Sequence, residues 1–221
     1  MVAAMEQLQQ RTAKPIVAVL YTHFHYVAGT QAVLDAFPDQ KIKIYGHEKI
    51  AYNRVRTATE IAPAYSRGLV EQFAITLPTE GTDGNVNVGL GRFYRNPEHK
   101  TQTNGFIAPT ETFNSACTLK VAGLEIDVMP APSDADDSVT YWFKSLGCAV
   151  NNLVWPVLFN VFAIRGEEYR DPRILLTGID HLLSLSAKHL VGAHGMPISG
   201  EQEIFERVTK YRDSIQFLWD Q

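Results

Sequence analysis

The apolar run Pro15-Ile16-Val17-Ala18-Val19-Leu20 passes directly into Tyr21-Thr22-His23-Phe24-His25. A β-branched run of this kind reads as a buried strand, predicted over residues 16–21. It ends in His-x-His. Residues two apart on an extended chain point to the same face, which brings both imidazoles together at the strand tip. Two neutral imidazoles facing one way make half of a zinc site. The pair also fits any half-exposed strand, so the pattern alone leaves both readings open.

The rest of the chain alternates helical and extended patterns. Helices are expected over residues 1–12, 30–37, 171–185 and 201–219. A further helix-like stretch covers 47–66, with Pro63 as a break. Strands are expected over 41–45, 110–121, 124–129, 138–143, 148–152 and 189–193. Ala122-Gly123 marks a hairpin turn, and Asp171-Pro172 combines a cap residue with proline at the first helical position. Residues 155–164 are apolar and fit either a helix or a loop. From 79 to 110 the pattern dissolves into Gly, Pro, Asn and Thr, the signature of a long irregular loop or lid. Strands mixed with helices point to an α/β protein with helices outside a layered sheet.

Three of these strands end in polar residues. Pro130 to Asp137 packs three carboxylates, Asp134, Asp136 and Asp137, into four positions. Such crowding is repulsive unless a cation neutralises it. A solvated turn with an aspartate cap is the competing reading. Asn151-Asn152 closes the next strand, and Gly192-Ala193-His194-Gly195 closes the last. The other histidines carry less weight. His47 opens a helix, His99 sits in the long loop, His181 lies on an amphipathic helix, and His189 starts a strand without a companion.

Composition narrows the partners. The 221 residues are 45% hydrophobic and 20% charged, with a formal net charge of -4. Mild acidity without a basic stripe argues against a nucleic-acid partner. Two cysteines, Cys117 and Cys148, are too few for a disulfide framework or a thiolate zinc cluster. No window approaches ~18 uncharged apolar residues, so no membrane span is expected. The opening residues lack a secretion signal, which makes the cytoplasm the default in a chain whose compartment is otherwise unknown.

These motifs together resemble the metallo-β-lactamase superfamily, and within it the alkyl sulfatase-like branch. The carriers are Tyr-Thr-His-Phe-His at 21–25, Ala-Pro-Ser-Asp-Ala-Asp-Asp-Ser at 131–138, Asn-Asn-Leu-Val-Trp-Pro at 151–156, Ile-Arg-Gly-Glu-Glu-Tyr-Arg-Asp at 164–171 and Gly-Ala-His-Gly at 192–195. The resemblance implies an αββα sandwich. It implies one metallo-β-lactamase-like domain over 1–221, partial and lacking the opening strands. It assigns His23, His25 and Asp134 to a metal and His194 to the late histidine ligand. Asn151 stands where the family carries a second acidic ligand. Val27 and Ala28 replace the Asp and His that follow the first two histidines, and neither can bind a cation. One zinc ion is therefore expected rather than two.

The implied activity is metal-dependent hydrolysis of sulfate esters. Water would be activated by a zinc held by His23, His25 and Asp134. Asp136 or Asp137 would serve as general base, and Arg165 would meet the sulfate, for which a planar cation is suited. The substrate would be a small ester, with an alkyl chain lodged against the apolar run at 153–162. Two alternatives stay open: a degenerate relative with a binding or assembly role, and a lactonase- or β-lactamase-like hydrolase. An unpaired sheet edge and the apolar end Phe217-Leu218-Trp219 suggest a homo-oligomer.

Overall fold

Two sheets of unequal size carry the chain. The structure, a computed structural model, describes residues 2–78, 80–85, 104–158, 161–162 and 169–221. Strands β1 (Ala18–Leu20), β2 (Lys43–His47) and β3 (Glu111–Phe113) form a parallel three-stranded sheet in that order. Helix α1 (Val2–Thr12) precedes it. Helix α2 (Thr30–Ala36) links β1 to β2. Helices α3 (Lys49–Ala58) and α4 (Ala62–Gln72) follow β2.

Strands β4 (Cys117–Val121), β5 (Leu124–Pro130), β6 (Val139–Phe143), β7 (Cys148–Asn151), β8 (His189–Gly192) and β9 (Ile198–Ser199) form the six-stranded sheet in chain order. All its pairs are antiparallel except β7 with β8, which run parallel. That parallel pair needs a crossover, and helix α5 (Pro172–Ser184) lies in it. Helix α6 (Glu201–Asp220) closes the order.

Side-chain alternation stacks the layers. On β6, Val139 and Tyr141 face one side and Trp142 the other, as the strand period of two requires. Val139 and Tyr141 join Ile126, Val128, Leu20 and Phe113 in a core between the sheets. Trp142 and Ala149 meet Leu175, Ile179, Leu182, Ile204, Val208 and Ile215 of α5 and α6. Ile44 and Val19 of the small sheet face outward onto Ile50 of α3, Leu34 of α2, Phe24 and Val27. The result is the expected helix–sheet–sheet–helix sandwich. Each fully buried Leu, Ile or Val contributes about 1.5–3 kcal/mol to it.

Several boundaries differ from the sequence expectation. The stretch 110–121 is two strands in different sheets, broken at residues 114–116, so the chain crosses between layers there. The helix break near Pro63 falls at residues 59–61. Pro63 itself sits in the first turn of α4, where the missing N–H costs nothing. The Ala122-Gly123 hairpin forms, with both residues at positive φ as a tight turn demands. Asp171 caps α5 by accepting from the Arg173 backbone N–H at 2.9 Å. The described parts of 155–164 are irregular. Most of the expected 79–110 lid lies outside the described residues, as does His99. No described helix is long and apolar enough to cross a membrane. Phe217, Leu218 and Trp219 are exposed.

Candidate metal centre

The site forms where the strands deliver their ends. The Tyr21 backbone N–H still bonds Tyr45 of β2, but the Thr22 carbonyl accepts from Val139 of β6 at 3.0 Å. The chain thus leaves one sheet and touches the other. His23 stays extended, and residues Phe24–Tyr26 wind into a 3₁₀ turn. The imidazoles therefore converge through a turn rather than through strand alternation. Their ring centroids lie 5.2 Å apart, edge to face.

Asp134 arrives from the irregular segment after β5. Its Oδ2 lies 2.9 Å from His25 Nδ1 and its Oδ1 lies 3.9 Å from His23 Nε2. Among the described residues, His23, His25 and Asp134 are the one cluster of three such groups able to hold a metal ion, their donor atoms within 4.8 Å of one another. His23 is 1% exposed and Asp134 5%.

Asn152 completes the arrangement, a residue the sequence reading passed over in favour of Asn151. Its Nδ2 contacts Asp134 Oδ1 and lies 3.3 Å from His23 Nε2. That fixes a tautomer by inference: His23 accepts at Nε2, so Nδ1 carries the proton and donates to Thr22 Oγ1 at 3.0 Å. Asn151 instead turns its Oδ1 to the Leu153 backbone N–H at 3.1 Å. This local turn ends the strand period and swings the next side chain, Asn152, toward Asp134. Asn152 Oδ1 is buried without a hydrogen-bond partner among the described residues.

His194 borders the cluster without joining it. It stacks on Trp155 at 3.6 Å between centroids and meets Tyr26 edge-on at 5.4 Å. Its Nε2 is buried without a hydrogen-bond partner among the described residues. Val27 sits in the apolar cluster beside Phe24 and Ile50, and its side chain carries no donor atom. Asp136 is drawn outward by Lys49 and Asn53 of α3, each at 2.7 Å. Asp137 is fully buried. Arg165 lies outside the described residues. Arg170, unremarked in the sequence, donates from Nε and Nη2 to the Asp134 main-chain carbonyl at 3.0 and 2.5 Å.

The electrostatics suit a cation. Burial pushes His23 down to about 4, only partly offset by Asp134, so its ring is neutral and its lone pair available. Burial alone would raise Asp134, but the His25 hydrogen bond and the charges of His23, His25 and Arg170 outweigh it and keep the group an anion. Burial also lowers His194, against the pull of Asp134. Asp137 is pushed up to about 7 by burial and by repulsion from Asp136, while the Phe24 backbone and His25 work the other way. Two imidazoles and one carboxylate are a donor set that fits zinc. The one mismatch is the Asn152 amide N–H, which points at the same oxygen and nitrogen a cation needs. Half a turn of that amide presents its unpartnered Oδ1 instead.

No family model matches the chain. Its sequence is 29% identical over 223 residues to a linear primary-alkylsulfatase of Pseudomonas sp., covering 98% of this chain and 41% of that protein. It is 26% identical over 223 residues to an (R)-specific secondary-alkylsulfatase of Pseudomonas sp., covering 95% of this chain and 32% of that protein. The chain thus spans well under half the length of these curated relatives. Among solved structures, the stereoselective inverting sec-alkylsulfatase of Pseudomonas sp. superposes with a TM-score of 0.80 at 23% identity, over 98% of this chain and 35% of that one. A metallo-beta-lactamase family protein from Thermus thermophilus gives 0.60 at 18% identity, over 97% of this chain and 66% of that one. Both share the fold.

Proposed function

We propose that this chain, similar in sequence to alkylsulfatases and in fold to metallo-β-lactamase family proteins, is a metal-dependent hydrolase of sulfate esters. The observation that carries the reading is the buried convergence of His23, His25 and Asp134 from two separate segments. The three would hold a single zinc. Such an ion, when bound, acidifies a water and polarises an ester oxygen.

The chain's own residues supply the rest. His23 and His25 offer ring nitrogens, and loading the site displaces the proton that His25 shares with Asp134, so binding weakens as pH falls. Of the two acidic candidates, we assign the general base to Asp137, a fully buried carboxyl whose titration burial pushes up. Asp136 is committed to Lys49 and Asn53. Arg165, outside the described residues, would meet the sulfate as the resemblance implies. A cleft of about 400 Å³ beyond His194, lined by Trp155, Val157, Leu158 and Met196, suits an alkyl chain. Trp155 and His194, stacked on each other, line that cleft.

The test is a substrate panel on the zinc-loaded chain: a primary alkyl sulfate, an aryl sulfate, a lactone and a β-lactam. Release of inorganic sulfate that disappears in His25→Ala supports the reading. Turnover of the lactone or β-lactam alone redirects it to another hydrolase of the same fold. Zinc binding with no turnover of any ester marks a binding role.

A further inference from the structure

The segment that carries Asp134 has no regular structure of its own. It runs from Pro130, where β5 ends, to Val139, where β6 begins. A carboxylate on such a segment stays aimed only if its main chain is tied down. Ser133 Oγ donates to the Asn152 carbonyl at 2.7 Å, which fixes one side. At Asp134 itself the tie is a guanidinium. Arg170 is 36 residues away in sequence and reaches back to place two donors on one carbonyl.

Arg170 is itself well held. Its backbone N–H bonds the Phe162 carbonyl at 2.7 Å. The next residue, Asp171, caps α5, so the arginine projects from the start of a packed helix. A rigid fork is the geometry that arginine offers and lysine does not. Bonds from a charged donor are stronger than neutral ones. We infer that Arg170 is a positioning residue of the metal centre: by gripping the Asp134 main chain, it aims that carboxylate at His23 and His25. The inference rests on the metal reading above.

Charge and position predict opposite signs here. A guanidinium near the site repels a cation. If its charge were all that mattered, Arg170→Met would tighten zinc binding, and Arg170→Lys would change nothing. If it positions Asp134, both variants loosen zinc. Loss of a partner behind a ligand costs about 10–100-fold in metal affinity.

The experiment is zinc affinity by competition with a chromophoric chelator, on the chain as it stands, its Arg170→Met and Arg170→Lys variants, and His23→Ala. Amide hydrogen exchange over residues 133–138 is followed in the same proteins without metal. Arg170→Met should raise the zinc Kd about 10–100-fold and speed exchange across that segment, with exchange in β6 and α5 unchanged. Arg170→Lys should fall between. Unchanged or tighter zinc binding in Arg170→Met overturns the inference while leaving the metal reading intact. Faster exchange that spreads through the whole sheet also overturns it, because the arginine would then serve the fold at large. If the unmodified chain binds no zinc, the metal reading fails. Locally faster exchange in Arg170→Met would then still support the grip on Asp134.

Discussion

Replacing Asn152 by aspartate should make the chain less stable without metal and a better zinc binder. The Asn152 Nδ2 group bonds Asp134 Oδ1 and lies 3.3 Å from His23 Nε2. A cation can use those two atoms only after both contacts break. A hydrogen bond to a charged acceptor contributes about 1.5–3 kcal/mol and a neutral one about 1 kcal/mol. Displacing the amide therefore costs about 2.5–4 kcal/mol, or roughly two to three orders of magnitude in Kd. An ionised aspartate has no donor to displace and adds an oxygen ligand. Asn152→Asp should lower the zinc Kd about 100-fold.

The same change sets two buried carboxylates against each other. Like charges 4 Å apart repel by about 4 kcal/mol at an effective dielectric of about 20. Proton uptake by one of them relieves part of this, leaving a loss of about 2–4 kcal/mol in the metal-free protein. For a chain of this size that is a fall in Tm on the order of 5–15 °C. Chelator competition gives the affinity, and thermal unfolding with and without zinc gives the stabilities. An unchanged Kd together with an unchanged metal-free Tm would show that the amide does not occupy the cation's place. A weaker Kd would show that the asparagine is the better ligand as it stands.

Asp137→Asn should stabilise the metal-free chain at high pH. Asp137 titrates at about 7 in the fold against an ordinary 3.8, so the folded state holds its proton more tightly. The penalty is full above pH 7 and fades toward pH 4. Urea unfolding should show a gain of about 3–4 kcal/mol at pH 8 that shrinks steadily by pH 5. His23 runs the other way. Its folded value of about 4 lies below the ordinary 6.5, so its contribution, about 3 kcal/mol, is present above pH 6.5 and lost as pH falls toward 4. Asp137→Asn should therefore also sharpen acid unfolding in that window. Asp136→Asn should leave zinc content unchanged and cost at most about 1 kcal/mol in urea unfolding, because its partner Lys49 is exposed.

What the sequence disclosed follows from periodicity. The apolar run before His23, the alternation on β6 and the helical spacing of α5 each report a face that must be buried. Those elements form close to where they are expected. His23, His25 and Asp134 come together because the ends of packed strands leave little freedom in where the next residues go. What stayed hidden depends on contacts that no local pattern encodes. Asn151 and Asn152 look equivalent in the sequence. In the fold, Asn151 accepts from the Leu153 backbone while Asn152 reaches Asp134. Arg170 meets its carbonyl across 36 residues. The break within 110–121 reflects two sheets sharing one run, which a single strand period cannot reveal. An Asx turn at the end of β7 was a readable signal in Asn-Asn-Leu, since asparagine side chains bond their own backbone two residues on.

Zinc stoichiometry in the unmodified chain and in His23→Ala tests the central claim most directly. His23 is buried, held neutral by that burial, and hydrogen-bonded to Thr22 and Asn152 beside Asp134. Equilibrium dialysis against trace zinc, followed by elemental analysis, should find about one ion per chain and close to none in His23→Ala. Far-ultraviolet circular dichroism should show both proteins folded. Retention of a full equivalent by folded His23→Ala would contradict the account and place the metal elsewhere.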